Sequence, residues 1–251
     1  MSKEKFQLPF LDDERVDREV QMIISRGMKP RQSFFSFMWD LQKELGFRYL
    51  FANPRDGVFL ILSVTAVLLF LTTALSEGTD QNHVYGALFL ISPLLFMALS
   101  LYDLFHKRQS AVFEVEMTAK YTLYQVSAFR MLHFSVLSIL MNVAIIAFLV
   151  WNGHSFEFLR AFMISMTALF IFSIVFLMIF TRGRSVLAVL KAGGGWVGVN
   201  ILLGLIDQQA YTRFLMTIPV VVYAVVLAVS IICFIYYLSK LVRMRPAEGV
   251  L

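Results

Sequence analysis

The stretch GVFLILSVTAVLLFLTTAL, residues 57–75, decides the fold class. It runs for 19 residues without a charged side chain, and a helix of about 20 apolar residues crosses the roughly 30 Å of bilayer hydrocarbon. Four similar runs follow, and a sixth carries one charge, Lys191, whose flexible stem reaches toward the interface. The sequence predicts an all-α polytopic membrane protein with six transmembrane helices, at 57–75, 85–102, 134–151, 161–181, 186–206 and 214–239.

The overall composition agrees with a membrane protein. The 251 residues are 59% hydrophobic and include 25 Phe. The first 30 residues are polar and lack the apolar region of a signal peptide, so we expect no cleavable signal. The single cysteine, Cys233, falls in the predicted sixth helix, so no intrachain disulfide is expected.

The basic residues are distributed very unequally across the predicted membrane. Of the 22 Lys and Arg residues, 20 fall on one side, which we call the basic side, and only Arg160 and Arg213 fall on the other. Short loops rich in Lys and Arg stay in the cytoplasm. The sequence therefore predicts a plasma-membrane protein with both termini cytoplasmic. The net charge of +5 then reflects topology and anionic headgroups, and no nucleic-acid partner is expected.

The cytoplasmic N-terminal segment, residues 1–56, contains two predicted helices. The first, Asp12–Arg26, either packs on the rest of the protein or docks a soluble partner. The second, at 32–49, is amphipathic, and such a helix is expected to lie in the headgroup plane before the first span. Its apolar face consists of Phe34, Phe37, Met38, Leu41 and Leu45.

The connections between the spans differ in length. On the side opposite the basic side they are short, and residues 207–213 are predicted to form the last of them. On the basic side, Asp103–His133 joins spans two and three and is long, moderately apolar and poor in Gly and Pro. We therefore expect a structured cytoplasmic element with one or two short helices. The C-terminal tail, 240–251, is also predicted to be cytoplasmic.

The predicted fifth span contains the run Ala192-Gly-Gly-Gly-Trp-Val-Gly198. Gly194 and Gly198 have GxxxG spacing, which allows close approach of helices in lipid. Two interpretations stay open. The glycines form a packing seam within the bundle or between two copies, or they mark a broken helix or hinge that moves during transport.

Motifs for catalysis are missing from the sequence. It contains no GxxxxGK[ST], HExxH or GxSxG, and its four histidines are scattered over both sides of the membrane. We predict no catalytic residues, no metal site and no cofactor, and any ATP hydrolysis belongs to a separate subunit. Asn142 and Asn200 are the notable polar side chains within spans, and we expect them to form hydrogen bonds across helices.

This layout resembles the membrane subunit of a type-2 ATP-binding-cassette exporter. The resemblance implies a connecting helix at 32–49, a dimer of membrane subunits, and a separate ATPase that docks on a coupling region at 113–130. It implies that the ATPase-binding residues are Glu114, Glu116, Lys120, Tyr121 and Arg130. Such exporters commonly have re-entrant helices between the last two spans, for which 207–213 is too short. That departure argues against export of a large substrate.

The same connection resembles a group of bacterial six-span proteins of unsettled role. Lys120-Tyr121 and Arg130-Met131 carry this likeness, and some members are encoded beside a sigma factor or an ATPase. It implies an alternative function, in which a regulatory or scaffolding membrane protein tethers a soluble factor such as a sigma factor through Asp12–Arg26.

Overall fold

The structure is a computed structural model that describes residues 17–19, 22, 33–46, 50, 51, 54–76, 83–109, 123–152, 156–182 and 186–243. The chain divides into two compact units, Met1–Glu44 and Leu45–Leu251. Every regular element in the described part of the chain is helical. Most of the predicted helix at Asp12–Arg26, including its first five residues, lies outside the described residues.

Helix α1, Phe34–Leu45, belongs to the first unit except for its last residue. Ser33 begins it as an N-cap, because its Oγ accepts a hydrogen bond from the backbone N–H of Ser36 at 3.2 Å. Gly46 ends it, because its φ of 64° lies in the left-handed region that favours glycine. The local sequence therefore encodes both ends of a helix that was predicted to run from 32 to 49.

The predicted apolar face of α1 is less exposed than the opposite face. Met38, Leu41 and Leu45 of the predicted apolar face are buried, and Phe34 and Phe37 are half-buried. The exposed aromatic side chains are instead Phe35 and Trp39, one turn apart, and the Lys43 ammonium lies 5.8 Å from the centre of the Trp39 ring. Phe35 and Trp39 are thus the most exposed aromatic residues of α1, and the position of α1 in the headgroup plane stays a prediction.

The second unit contains seven described helices. Six segments of these helices are long and apolar enough to cross a membrane, which confirms the predicted number of spans. Spans one to six are Arg55–Ala74, Val84–Phe105, Tyr124–Trp151, Phe158–Thr181, Leu187–Asp207 and Val220–Arg243. The helices are α2 (Pro54–Ser76), α3 (His83–Ile91), α4 (Leu94–Gln109), α5 (Leu123–Trp151), α6 (Phe158–Thr181), α7 (Val186–Thr217) and α8 (Val220–Arg243).

Spans two and four form the centre of the bundle. In an apolar 18-residue stretch of each, 61% of the residues are buried within the protein, against 17% in the corresponding stretches of spans one, five and six. Span four packs against spans two, three, five and six. Aromatic pairs fill these contacts: Phe96 with Phe176 at 5.6 Å and Phe170 with Phe234 at 5.5 Å between ring centres. The exposed surfaces of the outer spans are largely apolar, as expected for a chain whose solvent is lipid.

Span three is longer than predicted. Helix α5 has 29 residues, so at 1.5 Å per residue it is about 44 Å long and exceeds the hydrocarbon thickness. Residues 123–133, predicted as part of the cytoplasmic connection, continue this helix. The connection between α4 and α5 is therefore 110–122, and it lies outside the described residues.

An aromatic side chain fills the space between spans one, two and three on the basic side. The ring of Phe51 lies 6.0 Å from that of Tyr102 and 5.7 Å from that of Phe134. It also covers Gly57 in the first turn of span one, where a Cβ atom would overlap the ring. Gly57 is thus required by a close approach rather than by its backbone conformation.

Candidate functional site

Span two is broken at its middle. Its two halves, α3 and α4, are separated by Ser92 and Pro93. Proline lacks the backbone N–H of a regular helix, and its ring collides with the preceding turn. Hydrogen bonding resumes on both sides of the break, from Ser92 N–H to Leu88 O at 3.0 Å and from Met97 N–H to Pro93 O at 2.9 Å.

Side chains from two other spans bond to carbonyl groups at this break. The Leu90 carbonyl accepts a hydrogen bond from Trp196 Nε1 of span five at 3.4 Å. The Ser92 carbonyl accepts one from Asn142 Nδ2 of span three at 3.1 Å. A polar backbone group inside a bilayer must be satisfied by the protein. Spans three and five therefore hold the break, and the prediction that Asn142 bonds across helices is confirmed.

We expect Asn142→Leu to destabilise the protein by about 1 kcal/mol, the scale of hydrogen bonds between membrane helices. Pro93→Ala should reduce this loss, because an alanine at the break allows the helix to offer Ser92 O a backbone donor. Thermal unfolding of the two single variants and the double variant in detergent measures the coupling. An equal effect of Asn142→Leu in both backgrounds would contradict the assigned role.

Helix α7 does not run straight. Tyr211 OH donates a hydrogen bond to Asn200 Oδ1 at 2.7 Å, although residues 11 apart lie about 16 Å apart in a straight helix. The chain reverses at Asp207, whose φ and ψ of −154° and 92° are extended. Asp207 Oδ1 then accepts a hydrogen bond from the Ala210 N–H at 2.8 Å and caps the helix that follows. We call residues 208–217 the fold-back helix.

Three spans anchor the fold-back helix. Besides the bond from Tyr211 to Asn200 of span five, Arg160 Nη1 of span four donates to Met216 O at 2.6 Å. Tyr223 OH of span six donates to Leu215 O at 2.9 Å. Burial raises the pKa of Tyr211 to about 12, so the hydroxyl keeps the proton that it donates.

The predicted loop at 207–213 and the predicted start of span six at 214 are therefore wrong. Residues 208–217 are helical, and span six begins at Val220, after Pro219. The apolar side chains of Phe214, Leu215 and Met216 made the two elements look continuous in the sequence.

A cavity of about 760 Å³ lies between spans two, four and five and is covered by the fold-back helix. Its wall is almost entirely apolar. The Trp196 ring stacks on Phe89 of span two at 5.3 Å and meets Phe172 of span four edge-on at 5.8 Å. Asn200 and Tyr211 contribute the hydrogen-bonded pair described above. The cavity thus adjoins the break in span two.

A buried ion pair joins spans two and three on the basic side. Arg130 Nη1 lies 2.5 Å from Asp103 Oδ1. The side chains are 13% and 3% exposed, respectively. The pair lies about two turns from the connection at 110–122, because α4 continues to Gln109 and α5 begins at Leu123. The sequence placed Arg130 among the ATPase-binding residues, and the structure gives it an intramolecular partner.

The other predicted partner-binding residues lie outside the described residues. They are Glu114, Glu116, Lys120 and Tyr121, and their roles stay predictions. Sequence reasoning missed the pairing of Asp103 with Arg130. Two opposite charges near the facing ends of consecutive spans were the available signal.

The GxxxG glycines do not form a seam with the described part of the chain. No atom lies within 4 Å of a Cβ built at Gly194 or Gly198. Close approaches occur instead at Gly193, beside Met97, and at Gly86, where a Cβ would lie 3.1 Å from the Tyr211 ring. Contact of Gly194 and Gly198 with a second copy stays a prediction.

Comparison with known proteins identifies no family for this chain. No protein-family model, no curated protein and no solved structure matches this chain.

Proposed function

We propose that this chain is the membrane-spanning subunit of a type-2 ATP-binding-cassette exporter. A separate ATPase would dock on the connection between spans two and three, and two membrane subunits would form the pathway across the plasma membrane. In this arrangement both termini are cytoplasmic and the basic side faces the ATPase. The chain performs no catalysis of its own.

The observation that carries the proposal is the ion pair of Asp103 and Arg130. A force that the ATPase applies to 110–122 would be transmitted into the membrane through spans two and three, which this connection joins. The pair links α4 and α5 about two turns from this connection, so the two helices would move together at this level. The break at Ser92-Pro93 then allows α4 to move while α3 keeps its place beside the cavity.

Two further features support this class. Helix α1 precedes span one, at the place of the connecting helix that the resemblance implies. The fold-back helix lies between the last two spans, where such exporters have re-entrant helices. The element between the last two spans is longer than the predicted loop, which weakens the argument against a large substrate.

Copurification from native membranes tests the class of partner. We expect the tagged full-length chain to retain an ATPase subunit. Recovery of a transcription factor instead, lost on deletion of residues 1–29, would favour the regulatory alternative. The same deletion should leave an ATPase complex largely intact.

Replacing Glu114 and Glu116 together by Gln should uncouple ATP hydrolysis from transport, because the coupling region then loses the carboxylates proposed to bind the ATPase. Hydrolysis and substrate flux are measured with the copurified complex in proteoliposomes. The matched control is Glu77→Gln with Asp80→Asn, an acidic pair predicted on the opposite side. Full coupling in the Glu114 and Glu116 variant would reject this assignment.

A further inference from the structure

We propose that the cavity under the fold-back helix is a binding site for a single long acyl chain. The occupant is the hydrocarbon chain of an amphiphile that reaches the protein from the bilayer. This inference is independent of the proposed function, because it concerns binding in the absence of any ATPase.

The first argument concerns the polar groups of the cavity wall. Tyr211 OH and Asn200 Oδ1 bond to each other, and Asn200 Nδ2 donates to Trp196 O at 2.8 Å. Trp196 Nε1 is directed to the Leu90 carbonyl. A sugar, peptide or ion would lose its own water and gain few hydrogen bonds here. A hydrocarbon chain forms no hydrogen bonds with water and therefore loses none when it enters the cavity.

The second argument concerns size. A volume of about 760 Å³ falls within the roughly 300–1,000 Å³ of pockets that hold drug-sized molecules. Along span five the wall extends from Ala192 to Ile206, a length of about 21 Å at 1.5 Å per residue. One leaflet contributes about half of the roughly 30 Å hydrocarbon thickness. The cavity is therefore long enough for the chain of one lipid.

The third argument concerns access. At the fold-back end of the wall, Ile206 and Phe214 are 81% and 64% exposed, and Asp207 and Ala210 are exposed as well. Farther along the wall, Val175 of span four is 40% exposed, and Val199 and Leu203 of span five are 56% and 45% exposed. These residues lie within the membrane-spanning segments, so the cavity opens toward lipid tails. Asp207, the one acidic residue of the wall, lies at the end of span five and disfavours an anionic headgroup there.

The experiment uses Trp196 as the reporter, because its indole lies in the wall. Trp39→Phe with Trp151→Phe leaves Trp196 as the remaining tryptophan of the full-length chain. In detergent micelles, its fluorescence is titrated with chain-brominated monoacylglycerol and, separately, with chain-brominated phosphatidylcholine. Bromine quenches indole emission at short range. We expect saturable quenching, which distinguishes binding from random collision.

Two glycines on span five provide a matched pair of variants. Gly195 lies in the cavity wall and Gly198 does not, and neither has an atom within 4 Å of a built Cβ. Gly195→Leu should weaken the saturable quenching at least tenfold, whereas Gly198→Leu should leave it unchanged. Ala210→Leu fills the cavity from the fold-back helix and should act like Gly195→Leu, which keeps the test valid if one variant fails to fold.

Each outcome decides the proposal. Saturation with monoacylglycerol identifies a single-chain amphiphile as the ligand, and saturation with phosphatidylcholine alone identifies a bilayer lipid; both support an acyl-chain site. Linear quenching with both probes overturns it. So does equal saturation in Gly195→Leu and Gly198→Leu. Efficient disulfide dimerisation of Gly195→Cys together with linear quenching would assign this face to a second copy of the chain.

Discussion

Replacing Arg130 by Met should destabilise the protein by about 3–5 kcal/mol, the loss observed when one partner of a buried ion pair is removed. Asp103 is only 3% exposed, so the variant removes the guanidinium that lies beside a buried carboxylate. Methionine retains much of the volume of the arginine side chain and of its apolar stem. Thermal unfolding in detergent, followed by circular dichroism, measures the change.

A double-mutant cycle separates the ion pair from other effects of the substitution. Asp103→Asn together with Arg130→Met should recover much of the stability, because neither side chain is then a buried charge. The exposed Lys240→Met on span six is the control and should change stability by less than about 0.5 kcal/mol. If Arg130→Met changes the stability as little as this control does, the pair does not link spans two and three.

Gly57→Ala should destabilise the protein by about 1–3 kcal/mol, the usual effect of adding a methyl group to a filled space. The new Cβ would overlap the Phe51 ring, which must then leave its contacts with Tyr102 and Phe134. This outcome is the reverse of the normal effect, since alanine stabilises a helix relative to glycine by up to about 1 kcal/mol.

Gly194→Ala provides the matched control, because it is also a helical glycine in a span and has open space around it. It should be neutral or slightly stabilising. The two variants are compared by their melting temperatures under identical detergent conditions. Equal melting temperatures would mean that Phe51 moves aside freely and does not fix the start of span one.

The number of spans followed from the sequence because one property, length of apolar helix against bilayer thickness, determines it. The residues at which the spans begin and end did not follow from the sequence. Polar residues such as Gln125 and Arg130 belong to the helix of span three, although they lower the hydropathy of its first turns. After Asp207 a second error arose: the polar residues 207–213 were predicted as a loop although 208–217 are helical, and the apolar Phe214 was assigned to the next span.

The candidate site was predictable in part. Asn142 and Asn200 stood out because an amide within a span requires a partner. Their partners are 50 residues away for Asn142 and 11 residues away for Asn200, and only the packing of the helices reveals them. The GxxxG spacing was misleading for contacts within the chain, since spacing alone cannot tell a face that meets a neighbour from one that meets lipid.

The fold-back helix depends on the mutual positions of three spans. Its hydrogen-bonded anchors come from Arg160, Asn200 and Tyr223, which belong to spans four, five and six. Separation of any two of these spans at this end would break at least one anchor. A spin label or fluorophore at the exposed Gln209 should therefore report such a separation as a gain in mobility.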